Sequence, residues 1–174
     1  MSMREYRILL AGFGNVGKAL ARLMEQKQSI LQQEFNFSTC ITGIATGSHG
    51  IAVNPAGVDW KQAITLLDQG RTIESLSTLP VPASVLEMIH TCPAEVLFEN
   101  SPVNHQTGQP AANHLKAALE MGMHAITANK GPVVHAYEDL AKLARRVNRR
   151  FLFESAVMDG APIFSLFRGP LPAV

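Results

Sequence analysis

Cysteine is scarce in this chain, with only Cys40 and Cys92 among 174 residues. The two form no CxxC pair, so they argue against a disulfide scaffold and suit a reducing cytosol; a cytoplasmic protein is expected. Charge of either sign is not in excess, at a formal net charge of +1. The bulk electrostatics therefore offer no reason to seek nucleic acid or an anionic membrane. No apolar run is long enough to span a bilayer, and the start Met1-Ser2-Met3-Arg4-Glu5-Tyr6 runs straight into a strand-like segment with no signal-peptide pattern. No repeat recurs at solenoid spacing. The six histidines, His49, His90, His105, His114, His124 and His135, show no HxxxH or HExxH spacing, so a transition-metal site is not expected. His105 and His114 read as surface residues near a loop and a helix start.

What is present is an ordinary soluble composition, 47% hydrophobic and 17% charged, with enough chain for one core. "YRILLAGFG" reads as a buried strand ending in a glycine turn. "VGKALARLMEQKQSILQQ" follows as a helix with Ala19, Leu20, Leu23, Met24, Ile30 and Leu31 on one side. "TCITGIAT" is a second strand and "GSHGIAVNPAGVD" a loop. "WKQAITLLDQG" and "PASVLEMIHTC" are short helices, the first stopped by Gly70. "AEVLFEN" is a strand, "PAANHLKAALEMG" a helix, "HAITAN" a strand, "AYEDLAKLARRVN" a helix and "RRFLFESAV" a strand. This alternation predicts an α/β fold, a Rossmann-type doubly wound parallel sheet with helices on both faces. The basic run from Lys142 to Arg150 fits a solvated helix end, since Leu140, Leu143, Ala144 and Val147 form a buried stripe within it. Met121, Met123 and Met158 read as fillers of core gaps.

Gly12-Phe13-Gly14-Asn15-Val16-Gly17 is GxGxxG, placed after a first strand and opening a helix. In that context Gly12 permits a tight turn, Gly14 lets backbone approach a pyrophosphate, and Gly17 lets helix and strand pack closely. The helix N-terminus adds N–H groups and a positive dipole end. The alternative is a structural turn that binds nothing. An acidic residue for a ribose 2′-OH is expected after the second strand of an NAD site, and none stands there. Thr46, Ser48 and His49 could surround a 2′-phosphate instead, which favours NADP slightly over NAD; an ordinary polar loop reads equally well.

Asn129-Lys130-Gly131 ends the strand "HAITAN", and Lys130 is either a solvated strand-end lysine or a cofactor and substrate lysine. "AALEMGMHAITANKGP" and "FLFESAVMDGAPIFSLFR" resemble successive segments of the homoserine dehydrogenase family. "GIATGSHG" and "NPAGVD" are similar to its second-strand region, so the resemblance runs along essentially the whole chain in order. It implies a reversible NAD(P)-dependent oxidoreductase acting on a small-molecule substrate, interconverting L-homoserine and L-aspartate 4-semialdehyde on the route to threonine, methionine and isoleucine. It implies Lys130 as the catalytic cation, with Ala128, Asn129, Asn100 and Ser101 lining the cofactor side. It also implies a monovalent cation on Glu154 and the Val157 carbonyl, although Asp159 stands where a small residue is common; a hydrogen-bonded Glu154 is the other reading. Residues 1–155 would be the cofactor domain, and 156–174 the start of a connection to a substrate and dimerisation domain. The full-length form is then expected to be a homo-oligomer, and this chain alone inactive, its tail residues Ile163, Phe164, Leu166 and Phe167 forming an apolar patch prone to self-association. A non-catalytic dinucleotide-binding module, or a related semialdehyde or amino-acid dehydrogenase, are the alternatives.

Overall fold

The structure is a computed structural model that describes residues 3–157, 161 and 163–168. Strands β1 (Arg4–Ala11), β2 (Phe37–Ala45), β3 (Ile51–Val53), β4 (Val96–Glu99), β5 (His124–Thr127) and β6 (Phe151–Leu152) form one six-stranded sheet in the order β3-β2-β1-β4-β5-β6. All neighbours pair in parallel except β2 and β3. β1 is central because its second half, Ile8 to Ala11, is buried on both faces, as a near-continuous apolar run allows.

Helix α1 (Asn15–Phe35) and α2 (Trp60–Asp68) cover one face, where Ala21, Ala63 and Leu66 meet Ile8, Leu10, Ile41 and Ile44. Helices α3 (Val85–Thr91) and α4 (Ala111–Glu120) cover the other, packing Met88, Ile89, Ala117 and Ala118 on Leu9, Ala11 and Leu97. Helix α5 (Lys130–Arg146) joins them through Leu140, Leu143 and Ala144, against Leu115, Leu119, Ala125 and Phe151. The doubly wound arrangement read from the sequence is the one observed.

Several local expectations change. The segment after β2 is not all loop: Ile51–Val53 returns antiparallel along β2, because Gly50 at φ 80° turns the chain sharply after Ser48 and His49. Helix α5 begins six residues before the predicted Ala136, at Lys130. The last predicted strand is only two residues long and passes into a 3₁₀ turn, Glu154–Ala156. In α1 the inward stripe is rotated: Gly17 and Ala21 are buried, while Leu23 and Ile30 are exposed. Gly17 sets that phase by lying directly over the Gly12 carbonyl. Met123 fills the core as expected, but Met121 is exposed, sitting at the C-cap of α4. His114 is not a surface residue; it lies buried on α4. Phe164, in helix α6 (Ile163–Arg168), packs its ring on Phe153 at 4.9 Å between centroids instead of standing free, while Leu166 is exposed. Met158, Asp159 and the side chain of Phe167 lie outside the described residues.

Candidate functional site

The order of the sheet reverses between β1 and β4, and the crevice outside the carboxyl ends of strands at such a point is where open α/β sheets hold ligands. The three glycines divide the work at that crevice. Gly12 has φ 100°, and a Cβ there would sit 2.5 Å from the Asn100 carbonyl carbon and oxygen. A Cβ on Gly17 would sit 2.6 Å from the Gly12 oxygen. Around Gly14 nothing among the described residues lies within 4 Å of such a Cβ, so this glycine leaves open space. Gly14 is also the N-cap of α1, with no side-chain cap and no acidic residue in the first turn. The first N–H groups of the helix therefore remain available to an anion. Phe13 is buried beneath, while Asn15 and Val16 are exposed at the turn.

The loop after β2 closes one side. The Thr46 hydroxyl donates to the Gly50 carbonyl (2.9 Å) and accepts from the His49 N–H (2.8 Å). Thr46 thus builds the turn that presents its neighbours. Ser48 Oγ and His49 Nδ1 lie 2.9 Å apart at the exposed tip.

The turns after β4 and β5 form the other side. Asn129 caps α5, its Oδ1 accepting from the Gly131 N–H at 2.9 Å. Its Nδ2 donates to the carbonyls of Ser101 (3.2 Å) and Pro102 (3.4 Å). Asn129 therefore ties the β5 turn to the β4 turn. Lys130 follows as the first helical residue, and its side chain is exposed. Gly131 must be small, since a Cβ would lie 3.0 Å from both the Asn104 oxygen and Gly108 Cα. That is why a lysine stands between an asparagine and a glycine: the first caps, the last packs, and the lysine is left free to point out.

Beneath both turns lies Glu99, fully buried at the end of β4. It accepts from the Ser101 N–H (3.0 Å) and the Ser101 hydroxyl, and contacts Thr127 Oγ1 at 3.1 Å. Burial pushes its carboxyl pKa up, against the opposing pull of the Ser101, Thr127 and Asn129 hydrogen bonds.

Two adjoining clefts result. One, of about 450 Å³, is lined by Gly12, Phe13, Gly14, Asn15 and Thr46 with Asn100 and Ser101. The next, of about 400 Å³, is lined by Val16, Ala128, Asn129 and Lys130 and shares Asn100 and Ser101. Ser48 lines a third hollow beside the first, with Thr46 and Glu74. Gly17 packs on the Gly12 carbonyl and does not line the first cleft. Asn100 Nδ2 is buried with no partner among the described residues, an orphaned donor at the shared wall. Space over Gly14, uncapped helix N–H groups and this donor fit an elongated phosphate-containing ligand such as a dinucleotide.

Glu154 and Val157 are not part of these clefts. The Glu154 carboxylate accepts from the Ser165 N–H (3.1 Å) and Oγ (2.9 Å). Sequence reasoning missed two residues. Lys18 lines the first cleft and pairs with Asp68 at 3.0 Å. Its backbone N–H bonds the Gly14 carbonyl, so its position one helical turn beyond Gly14 was a readable signal. Glu99 carried no such signal, since only strand pairing places it under both turns.

Residues 12–154 match the family profile described as homoserine dehydrogenase, NAD binding domain. Among curated proteins, an NAD(+)-dependent homoserine dehydrogenase of Pseudomonas canavaninivorans is 32% identical over 97% of this chain and 48% of its own length. The homoserine dehydrogenase of Methanocaldococcus jannaschii is 29% identical over 94% of this chain and 48% of its own. A hyperthermophilic archaeal homoserine dehydrogenase solved in complex with NADPH overlays with a TM-score of 0.76 at 26% identity, covering 94% of this chain and 48% of that one. The Thermoplasma acidophilum homoserine dehydrogenase, at 24% identity and a TM-score of 0.77 over 97% of this chain and 49% of its own, supports the fold alone. The chain spans about half the length of the curated relatives it matches. A profile match over most of the chain, with a relative 32% identical along nearly all of it, means that this chain belongs to the family of homoserine dehydrogenase NAD binding domains.

Proposed function

We propose that this chain binds a nicotinamide dinucleotide across the two adjoining clefts and serves a homoserine dehydrogenase. The observation that carries the reading is that the clefts share Asn100 and Ser101 and end on Lys130. The Gly14 turn would hold the pyrophosphate at the α1 N-terminus, and Asn100 Nδ2 would donate to the ligand. Lys18 and His49 stand on the first cleft, where a 2′-phosphate would find cationic and donor groups; this supports NADP over NAD. When bound, the dinucleotide supplies or accepts the hydride. Lys130 is the residue proposed for the substrate oxygen: its ammonium, at the positive end of α5, would stabilise negative charge growing on the carbonyl of L-aspartate 4-semialdehyde and share its proton. The residues that bind the substrate's own charged groups would belong to the rest of the protein, so the domain by itself is expected to bind cofactor without turnover. We place the protein in the cytoplasm, consistent with two free thiols whose pKa values burial pushes up, and its full-length form as a homo-oligomer. Among the described residues no helix is long and apolar enough to cross a membrane. A monovalent cation at Glu154 and Val157 would have to share the carboxylate with Ser165.

The test is a titration of the chain with NADPH and with NADH, followed by nicotinamide fluorescence. Saturable binding, tighter for NADPH, is expected, and Lys18→Ala should weaken NADPH more than NADH. Lys130→Ala should leave cofactor affinity nearly intact, while homoserine oxidation by the full-length protein falls by roughly 10²–10⁴-fold. Absence of saturable binding by either cofactor would refute the reading.

A further inference from the structure

We propose that Glu99 is a positioning residue that works as a buried, protonated carboxylic acid, locking the β4 turn to the β5 turn so that Ser101 and Asn129 face the ligand together. The inference rests on the dinucleotide reading above for its functional half, and on hydrogen-bond accounting for its chemical half.

Thr127 Oγ1 is the centre of that accounting. A threonine hydroxyl has one hydrogen to donate and two lone pairs to accept with. It accepts the Asn129 N–H at 3.0 Å. It also lies 3.1 Å from the Glu99 carbonyl oxygen and 3.1 Å from Glu99 Oε2. A carbonyl oxygen and a carboxylate oxygen both accept only. With an ionised Glu99, one hydrogen would be shared between two acceptors, the carbonyl taking in addition only the long Ala128 N–H contact at 3.3 Å. A proton on Oε2 resolves the conflict. Oε2–H then donates to Thr127 Oγ1, and Thr127 Oγ1 donates to the Glu99 carbonyl. Every lone pair and hydrogen of the hydroxyl is used. Oε1 meanwhile accepts both donors of Ser101.

The surroundings agree. Glu99 is 0% exposed and lies in register between Ala11 of β1 and Thr127 of β5, neither of them charged. Apart from the buried His114, the titratable groups of the packed elements named here are engaged elsewhere or face solvent. Arg7 of β1 pairs with Glu95, Lys116 of α4 with Glu120, and Lys130 is exposed on α5. His114 of α4 is buried, and Glu87 and His90 of α3 are exposed. None forms a hydrogen bond or ion pair with Glu99 among the described residues. Burial with no cation at hand favours the neutral form.

Both cleft-lining turns hang on this one carboxyl. Ser101 is held directly, and Asn129 is held both by its side chain on the Glu99 carboxyl and through its N–H to Thr127, while its Nδ2 reaches back to the Ser101 carbonyl. Glutamine is the neutral mimic: its oxygen can take the Ser101 donors and its NH₂ can donate to Thr127. Alanine removes both halves.

The experiment compares wild type, Glu99→Gln and Glu99→Ala in three readouts. Carbon-13 NMR of side-chain carboxyls, with Glu99 assigned by its loss in Glu99→Gln, should show Glu99 still protonated at pH 7, after the other glutamates have ionised. In thermal melts, Glu99→Gln should gain on wild type as pH rises, because the raised folded pKa means wild type loses stability upward in pH. In NADPH titrations, Glu99→Ala should bind about tenfold more weakly, with Glu99→Gln recovering most of that loss. Glu99 titrating with the exposed carboxylates, or Glu99→Gln melting below wild type at neutral pH, would overturn the protonated acid. Folded Glu99→Ala binding as tightly as wild type, or Glu99→Gln binding as weakly as Glu99→Ala, would overturn the positioning role. If wild type itself binds no dinucleotide, the functional half falls together with the proposed function, and NMR and melts still decide the protonation.

Discussion

At the scale of single residues, identical amino acids in one motif do different things. Gly12 is forced to be glycine by a positive φ and by the Asn100 backbone, whereas Gly14 borders open space with φ −83°, a value any residue adopts. Gly12→Ala is therefore expected to cost more than about 2 kcal/mol of folding stability, through a backbone clash that nothing flexible can relieve. Gly14→Val should stay within about 1 kcal/mol of wild type yet lose dinucleotide binding, because its side chain would fill the space left for the ligand. Chemical denaturation and NADPH titration of both variants check this; equal stability losses in the two would defeat it. The GxGxxG spacing was legible at once, but which glycine serves the fold and which the ligand depends on what stands opposite each.

Among the elements, α5 shows what patterning can and cannot reveal. Its buried stripe of Leu140, Leu143 and Ala144 has helical spacing and was readable. Its first turn was not, because Lys130, Gly131 and Pro132 look like a loop. Proline is tolerated in a first turn, where its missing N–H loses no helical bond, and Asn129 supplies the cap that starts the helix earlier. Asn129→Ala removes that cap and both bonds to the β4 turn. A loss of roughly 1–2 kcal/mol is expected, together with weaker cofactor binding. Denaturant midpoints would show it, and a variant as stable as wild type would mean that Asn129 is not the strut described. β3 escaped the sequence for the opposite reason: three residues carry no period, and only pairing with β2 makes them a strand.

For the whole molecule, the protonation balance sets how stability follows pH. Burial pulls the His114 imidazole below its usual value of 6.5, and burial with Arg149, Arg150 and Arg4 does the same to His124. His124 Nδ1 also accepts the Arg150 N–H at 3.0 Å, a bond that protonation there would break. Unfolded histidines take up protons that the native state refuses. The stability they contribute is present above about 6.5 and drains away as pH falls toward their lower folded values. Glu95, held below its ordinary range chiefly by the Arg7 hydrogen bond, acts in the same direction at lower pH. Glu99 acts in the opposite sense, its share lost as pH rises. In Glu99→Gln, where that opposing share is absent, melting temperature should thus fall between pH 7 and pH 5. His114→Leu should flatten that slope without a large stability loss, since His114 Nδ1 is buried with no partner among the described residues. A Glu99→Gln profile that is flat over this range would contradict the account.

By itself the sequence determined the alternation of strands and helices, the glycine turn after the first strand, and the family-specific run around Lys130. Each is a local pattern, set by side-chain period, backbone freedom or a short motif. Only the tertiary structure decided that Gly12 rests on Asn100, that the turns after β4 and β5 are tied by Asn129, and that Glu99 lies beneath both. Those contacts join segments far apart in the chain, and they exist only because parallel pairing brings the carboxyl ends of β1, β4 and β5 side by side.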